Sequence, residues 1–174
     1  GPMLHGAIAQ FLKDVKWGDL DYLVIDLPPG TGDVQLTLCQ TVPIVGAVIV
    51  TTPQSIALSD VRKAVAMFKQ LNVPILGAIE NMSGFVCPHC SKESKIFSEG
   101  GAQTLDKDFG IKLLGSIPLD PRVCSAGEGG TPIVLSHPDS LPAQALREAS
   151  RRVAAAVSVR GAASKPLEIK LVKA

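Results

Sequence analysis

Short apolar runs alternate along this sequence with longer stretches of helical spacing, and each run ends in a polar or turn-forming segment. That grammar leaves few folds open. "DYLVIDLPPG" holds a continuous apolar run, Tyr22 to Ile25, closed by an acid and a Pro-Pro-Gly turn, which predicts a buried parallel strand. "VGAVIVTTPQ" predicts a strand from about Val45 to Val50, "VPILGAIENMSG" one over Ile75 to Ile79, and "IKLLGSIPLD" a fourth. Between them, apolar residues recur at helical spacing: Leu4, Ala7, Ile8, Phe11, Leu12 and Val15 mark an amphipathic helix. "VQLTLCQ" is helical, "SIALSDVRKAVAMFKQL" predicts a long helix with Ser55 as N-cap, and "EGGAQTLDKDFG" a short one stopped by Gly110. "PAQALREASRRVAAAV" closes the domain as a helix. Strands alternating with helices imply βαβ units with right-handed crossovers, hence an α/β fold with a mostly parallel sheet flanked by helices. One domain is expected over residues 1–158, with an irregular CxxC loop at 82–98 and a tail at 159–174.

Composition narrows the function classes. Hydrophobic residues make up 46% of the 174 and charged residues 19%, with one Trp and one Tyr, which suits an aliphatic parallel-sheet core. A formal charge of +1 argues against a grip on nucleic acid, which needs a face basic enough to release many counterions. No run of about 18 apolar residues predicts a membrane span, and no secretory leader is visible, so a cytoplasmic or organellar setting is expected. Four cysteines, Cys39, Cys87, Cys90 and Cys124, are too few for a disulfide framework in a chain of this size.

In parallel sheets ligands bind beyond the carboxyl ends of the strands. Here those ends read Asp26 through Asp33 ("DLPPGTGD"), Thr51-Thr52-Pro53, Glu80-Asn81-Met82 and Pro118-Leu119-Asp120, all polar or turn-forming. An aspartate directly after "YLVI" wants a partner for its charge, and a Mg²⁺ ion held directly or through water would supply one. The glycine-containing turn after it lets backbone N–H groups approach an anion such as a terminal phosphate. The plainer reading is that Asp26 caps a turn or the following helix.

The tetrapeptide "CPHC", Cys87 to Cys90, admits three readings: metal ligands, a redox pair, or a structural clip. A redox pair of the thioredoxin type draws its reactivity from a helix N-terminus, and the "SKESKIF" that follows is a weak helix start. A complete zinc site wants four ligands, and one C-x-x-C supplies two. Cys39 and Cys124 are isolated and read as small packing residues.

Taken in order, "GPMLHGAIAQFL", "WGDLDYLVIDLPPGTGDVQLTL", "TTPQSIALSDVRKAVAMF", "GAIENMSGFVCPHC" and "LLGSIPLDPRV" resemble the Mrp-type iron–sulfur cluster carriers, ATPases of the MinD-like branch of P-loop NTPases. The resemblance runs from Gly1 to about Val157. It implies a dimer that binds ATP and carries a labile cluster, most simply [4Fe–4S], to apo iron–sulfur proteins. It places Asp26 at the Mg²⁺-linked Walker B position, Gly30 and Thr31 in the switch loop that runs to Asp33, Asn81 and Pro118 at the adenine, and Cys87 and Cys90 on the cluster. Iron–sulfur clusters usually take four thiolates, so two copies of C-x-x-C across a twofold axis would complete one site, making the homodimer through this loop an expectation. Zinc is an expected substitute, since tetrahedral thiolate sites accept both metals.

One family part is not found. The phosphate loop ending in Gly-Lys-Ser or Gly-Lys-Thr does not occur, and the glycine cluster "GEGGTP" at 127–132 has no lysine. The chain is therefore expected to be the C-terminal part of such a domain, without its first strand and phosphate loop, and not to hydrolyse ATP by itself. Two further readings accompany it: a partition or septum-positioning ATPase of the same fold with a zinc clip, and a non-catalytic binding fragment.

Overall fold

The computed structural model describes residues 2–28, 30, 32–87, 89–90, 92–97 and 101–163. The elements run α1 (Pro2–Lys13), α2 (Asp33–Thr41), β1 (Ala47–Thr51), α3 (Ser55–Gln70), β2 (Ile75–Val86), β3 (Glu93–Ser94), α4 (Gly101–Phe109), β4 (Leu113–Leu119), α5 (Pro121–Glu128), α6 (Ile133–Ser136) and α7 (Leu141–Ala163). Strand β2 is the centre of the sheet. It pairs in parallel with β1 on one side and β4 on the other, and its far end pairs antiparallel with β3.

The alternation of side chains along each strand sorts the helices to two faces. Ile49 of β1 lies in register with Ala78 of β2, and both join the main core with Leu58, Val61, Val65 and Phe68 of α3. Those four helical positions recur at three- and four-residue spacing, which is why α3 buries one stripe. Val50, Ile79 and Gly115 form the neighbouring row, facing the other way. There α7 presses on β4 so closely that a Cβ on Gly115 would lie 2.8 Å from the Cβ of Ala149. At the β1 end of that row no helix among the described residues covers the sheet, and Val50 is 64% exposed.

Four expectations are corrected. Tyr22 to Ile25 is not a strand: the run is irregular and exposed, Val24 to 88%. A strand needs a ladder partner for its N–H and C=O groups, and no strand among the described residues bonds to this one. The strand expected to end at Ile79 continues to Val86. It does so through a bulge between Asn81 and Phe85, where Met82 takes φ +55°, and then gains β3 as a new partner. Ser55 is not the N-cap of α3; Gln54 is, because its carbonyl already accepts the first-turn bond from Ala57 N–H. Finally, α7 continues through Ala163, so residues 159–163 are helix rather than tail, while 164–174 lie outside the described residues. Gly110 does stop α4, in the left-handed region at φ +67°.

Gly115→Ala should destabilise the fold by about 1–3 kcal/mol, since the added methyl meets backbone-anchored Ala149 rather than a flexible tip. The urea midpoint reads this directly; an unchanged midpoint would mean that α7 does not pack on β4 as described.

Candidate functional site

The sheet brings the polar strand ends side by side. Thr51 at the end of β1 is in register with Glu80 of β2, Glu80 with Ser116 of β4, and Asn81 with Ile117. Asn81 and Pro118 thus lie at neighbouring positions on adjacent strands. Pro118 is tolerated inside β4 because a proline, which lacks a donor, fits an edge strand, and β4 bonds only to β2 among the described residues. The side chain of Asn81 is held by its own backbone turn: Oδ1 accepts a 2.9 Å bond from the Met82 N–H. A methionine at φ +55° is an uncommon conformation, and the bond from its N–H to the preceding Asn81 side chain helps to hold it.

Beyond β4, Asp120 caps α5. Its Oδ1 accepts from Arg122 N–H at 2.9 Å, Pro121 fills the first helical position, and the Arg122 guanidinium grips both carboxylate oxygens. The side-chain bond from Arg122 holds the Asp120 carboxyl below the usual carboxylate range, although partial burial opposes it. Both α5 and α6 escaped the sequence reading, although Asp-Pro ahead of "RVCSAGE" is a recognisable helix start.

Asp26 is exposed, next to Leu27, which packs against the main core. Gly30 takes φ +101°, a conformation that favours glycine. Thr31 lies outside the described residues. No hydrogen bond among the described residues ties this loop to Asn81 or Pro118; its anchor is Gln35, on the first turns of α2. The Gln35 amide, 3% exposed, donates to Pro28 O at 2.7 Å and to Gly30 O at 3.1 Å. Gln35 was not singled out from the sequence. Its one signal is position, three residues before buried Leu38 and so on the same helix face.

The cysteines sit at the tip of a hairpin. Phe85 pairs with Ser94, Val86 with Glu93, and Cys87 N–H then donates to Lys92 O at 3.0 Å, closing the turn. The Cys87 sulfur accepts bonds from the backbone N–H groups of His89 and Cys90 and from the Cys90 side chain, and these hold its thiol below the usual range. Backbone donors aimed at one sulfur suit a thiolate that ligates metal. All four cysteines are free thiols, and the CxxC tip is a turn rather than a helix start. Among the described residues, no group of three or more His, Cys, Asp or Glu side chains gathers to hold a metal. Cys39 packs against the core, where burial pushes its thiol up; Cys124 is exposed on α5, 3.7 Å from Glu128.

A family model for the NUBPL iron-transfer P-loop NTPases matches residues 1–154. The chain belongs to that family. It is 53% identical over 97% of its length to an iron–sulfur cluster carrier protein of Deinococcus radiodurans, covering 48% of that relative. To the mitochondrial iron–sulfur protein required for NADH dehydrogenase of Arabidopsis thaliana it is 46% identical over 88% of its length, covering 49% of the relative. The chain therefore spans about half the length of the relatives it matches. A nucleotide-binding protein from Archaeoglobus fulgidus, solved in complex with ADP, aligns over 74% of this chain and 53% of its own at 43% identity and a TM-score of 0.66. The cell-division ATPase MinD of Pyrococcus furiosus aligns over 87% of this chain and 58% of its own, with a TM-score of 0.65. At 22% identity that likeness speaks for the fold alone. The fold is thus the expected parallel sheet flanked by helices, of the MinD-like P-loop NTPase type. No helix among the described residues is long and apolar enough to cross a membrane.

The cap carries a pH-dependent prediction. Because the folded-state pKa of Asp120 is depressed, its contribution is complete above the unfolded value of about 3.9 and is lost as pH falls through the folded value. Asp120→Ala should cost about 1 kcal/mol at pH 7 and progressively less below pH 4, read as converging urea midpoints for the two proteins. Midpoints that stay equally separated at low pH would contradict the assignment.

Proposed function

We propose that this chain is the base-reading and cluster-holding portion of an ATP-dependent iron–sulfur cluster carrier. The observation that carries the reading is the hairpin tip, where backbone N–H groups point at the Cys87 sulfur and Cys90 stands beside it, with no third ligand among the described residues. Two thiolates are half of a four-thiolate site, so the other half is assigned to a second copy of the chain across a twofold axis. The cargo is a [4Fe–4S] cluster passed on to apo iron–sulfur proteins, and zinc is the adventitious substitute. The names of the relatives support iron–sulfur transfer, and the ADP of the Archaeoglobus protein supports a nucleotide.

In this reading Asn81 hydrogen-bonds the adenine edge while Pro118 packs beside it, because Asn81 follows Glu80, the partner of the last residue of β1, and Pro118 is near the carboxyl end of β4. Asp26 would act through a Mg²⁺ ion held directly or through water, with Gly30 assigned to the phosphate side, as is Thr31, which lies outside the described residues. When bound, the metal ion would neutralise phosphate charge. The phosphate loop itself is assigned to a further segment of the polypeptide, of the kind that the relatives' additional length allows. That segment would also cover the exposed run at Tyr22 to Ile25 and the bare face of β1 at Val50. A septum-positioning ATPase with a zinc clip is supported by the fold alone.

Anaerobic reconstitution of the full-length protein with iron and sulfide tests the metal half. Cys87→Ala and Cys90→Ala should each lose most of the visible cluster absorption and the dimer together. Cluster content equal to the unsubstituted protein would sink the assignment.

A further inference from the structure

The carboxamide of Gln35 is polar, almost wholly buried, and spends both of its N–H donors on one short loop. Burying an amide without partners costs free energy, so a buried glutamine persists where its bonds fix something. Among the described residues, the side-chain hydrogen bonds to the stretch between Leu27 and α2 both come from Gln35. Gly30 sits at φ +101°, Pro28 is exposed, and the loop is the stretch between Leu27, anchored on the core, and α2. Gln35 itself stands on α2 three residues before Leu38, so its base is fixed by helix packing. Its Oε1 faces Gly32, the N-cap of α2, where a Cβ would lie 3.6 Å away.

The direction of the bonds matters as much as their number. Both loop partners are carbonyl oxygens, so the Pro28 and Gly30 carbonyls are turned towards the buried Gln35 amide; the Pro28 carbonyl belongs to a peptide whose nitrogen is a proline's and has no N–H to offer. A loop that is to meet a phosphate needs that polarity, because outward carbonyls would repel the anion.

We propose that Gln35 is the positioning residue for the loop that follows Asp26, holding the Pro28 and Gly30 carbonyls inward so that their negative ends do not face the terminal phosphate. The inference rests on the nucleotide reading above and assigns a role within it. Both Gln35 donors go to Pro28 and Gly30, so its role is exerted through the loop rather than on nucleotide or metal. Its loss acts on the geometry of phosphoryl transfer more than on capture of the nucleotide, which the base-reading residues on β2 and β4 govern separately.

Two variants test this. Gln35→Glu replaces both donors by a carboxylate that opposes the two carbonyls, and Gln35→Met keeps the length without charge, should the first fold poorly. In the full-length protein, each should lower kcat for ATP at least about tenfold while KM changes less than about threefold. In the 174-residue chain, NMR should show the Gln35 side-chain amide protons exchanging with solvent at least about tenfold more slowly than those of exposed Gln40 and Gln103. Fast exchange at Gln35 overturns the positioning role outright. Slow exchange with unchanged kcat in both variants overturns its part in turnover. If the unsubstituted full-length protein turns over no ATP, the nucleotide reading fails instead, and the exchange rates alone decide whether Gln35 holds the loop.

Discussion

The ladder along β2 is the constraint on which the rest of the molecule depends. Its first half bonds to β1 and β4 and fixes the sheet; its second half, beyond the bulge, bonds to β3 and fixes the hairpin. One strand therefore carries Ala78 into the core, Asn81 to the strand ends and Val86 to the foot of the cysteine turn. The irregularity at Met82 separates these duties. Left-handed backbone at a non-glycine residue interrupts the pairing with β4 between Asn81 and Phe85; it resumes where Phe85 meets Leu119, and there β3 joins the same sheet.

This arrangement gives the proposed function its physical sense. Asn81, assigned to adenine, and the cysteines assigned to the cluster are joined by a few residues of a single strand, with the bulge between them. A change at the strand ends has a short covalent route to the hairpin, which is the kind of connection that coupling between two sites requires. Among the described residues the Cys87 sulfur takes its donors from the turn itself, the backbone N–H groups of His89 and Cys90 and the Cys90 side chain.

Much of the fold was legible because its signals are local. The apolar runs of β1 and β4, the helical stripe of α3 and the glycine stop after α4 are written in periodicity and turn chemistry, and they formed where expected within a few residues. What was not legible depends on partners. Tyr22 to Ile25 has the composition of a strand, yet no strand forms without a ladder to join. The extension of β2 to Val86 required knowing that β3 would return beside it, and "NMSG" at 81–84 reads as a turn until that pairing exists. At the site, the cysteine pair was visible from spacing, whereas the bonds that tune Cys87 come from the folded turn. Gln35 was invisible for the opposite reason: a glutamine among leucines and threonines on a helix is ordinary until its burial and its two carbonyl partners are known.

The central claim is that each chain holds half of a cluster site. Native mass spectrometry of the full-length protein, purified and kept without oxygen, measures it directly. The account predicts that cluster mass is found only on species of two chains, one cluster to each pair, with single chains bare. A cluster retained on a single chain would contradict it.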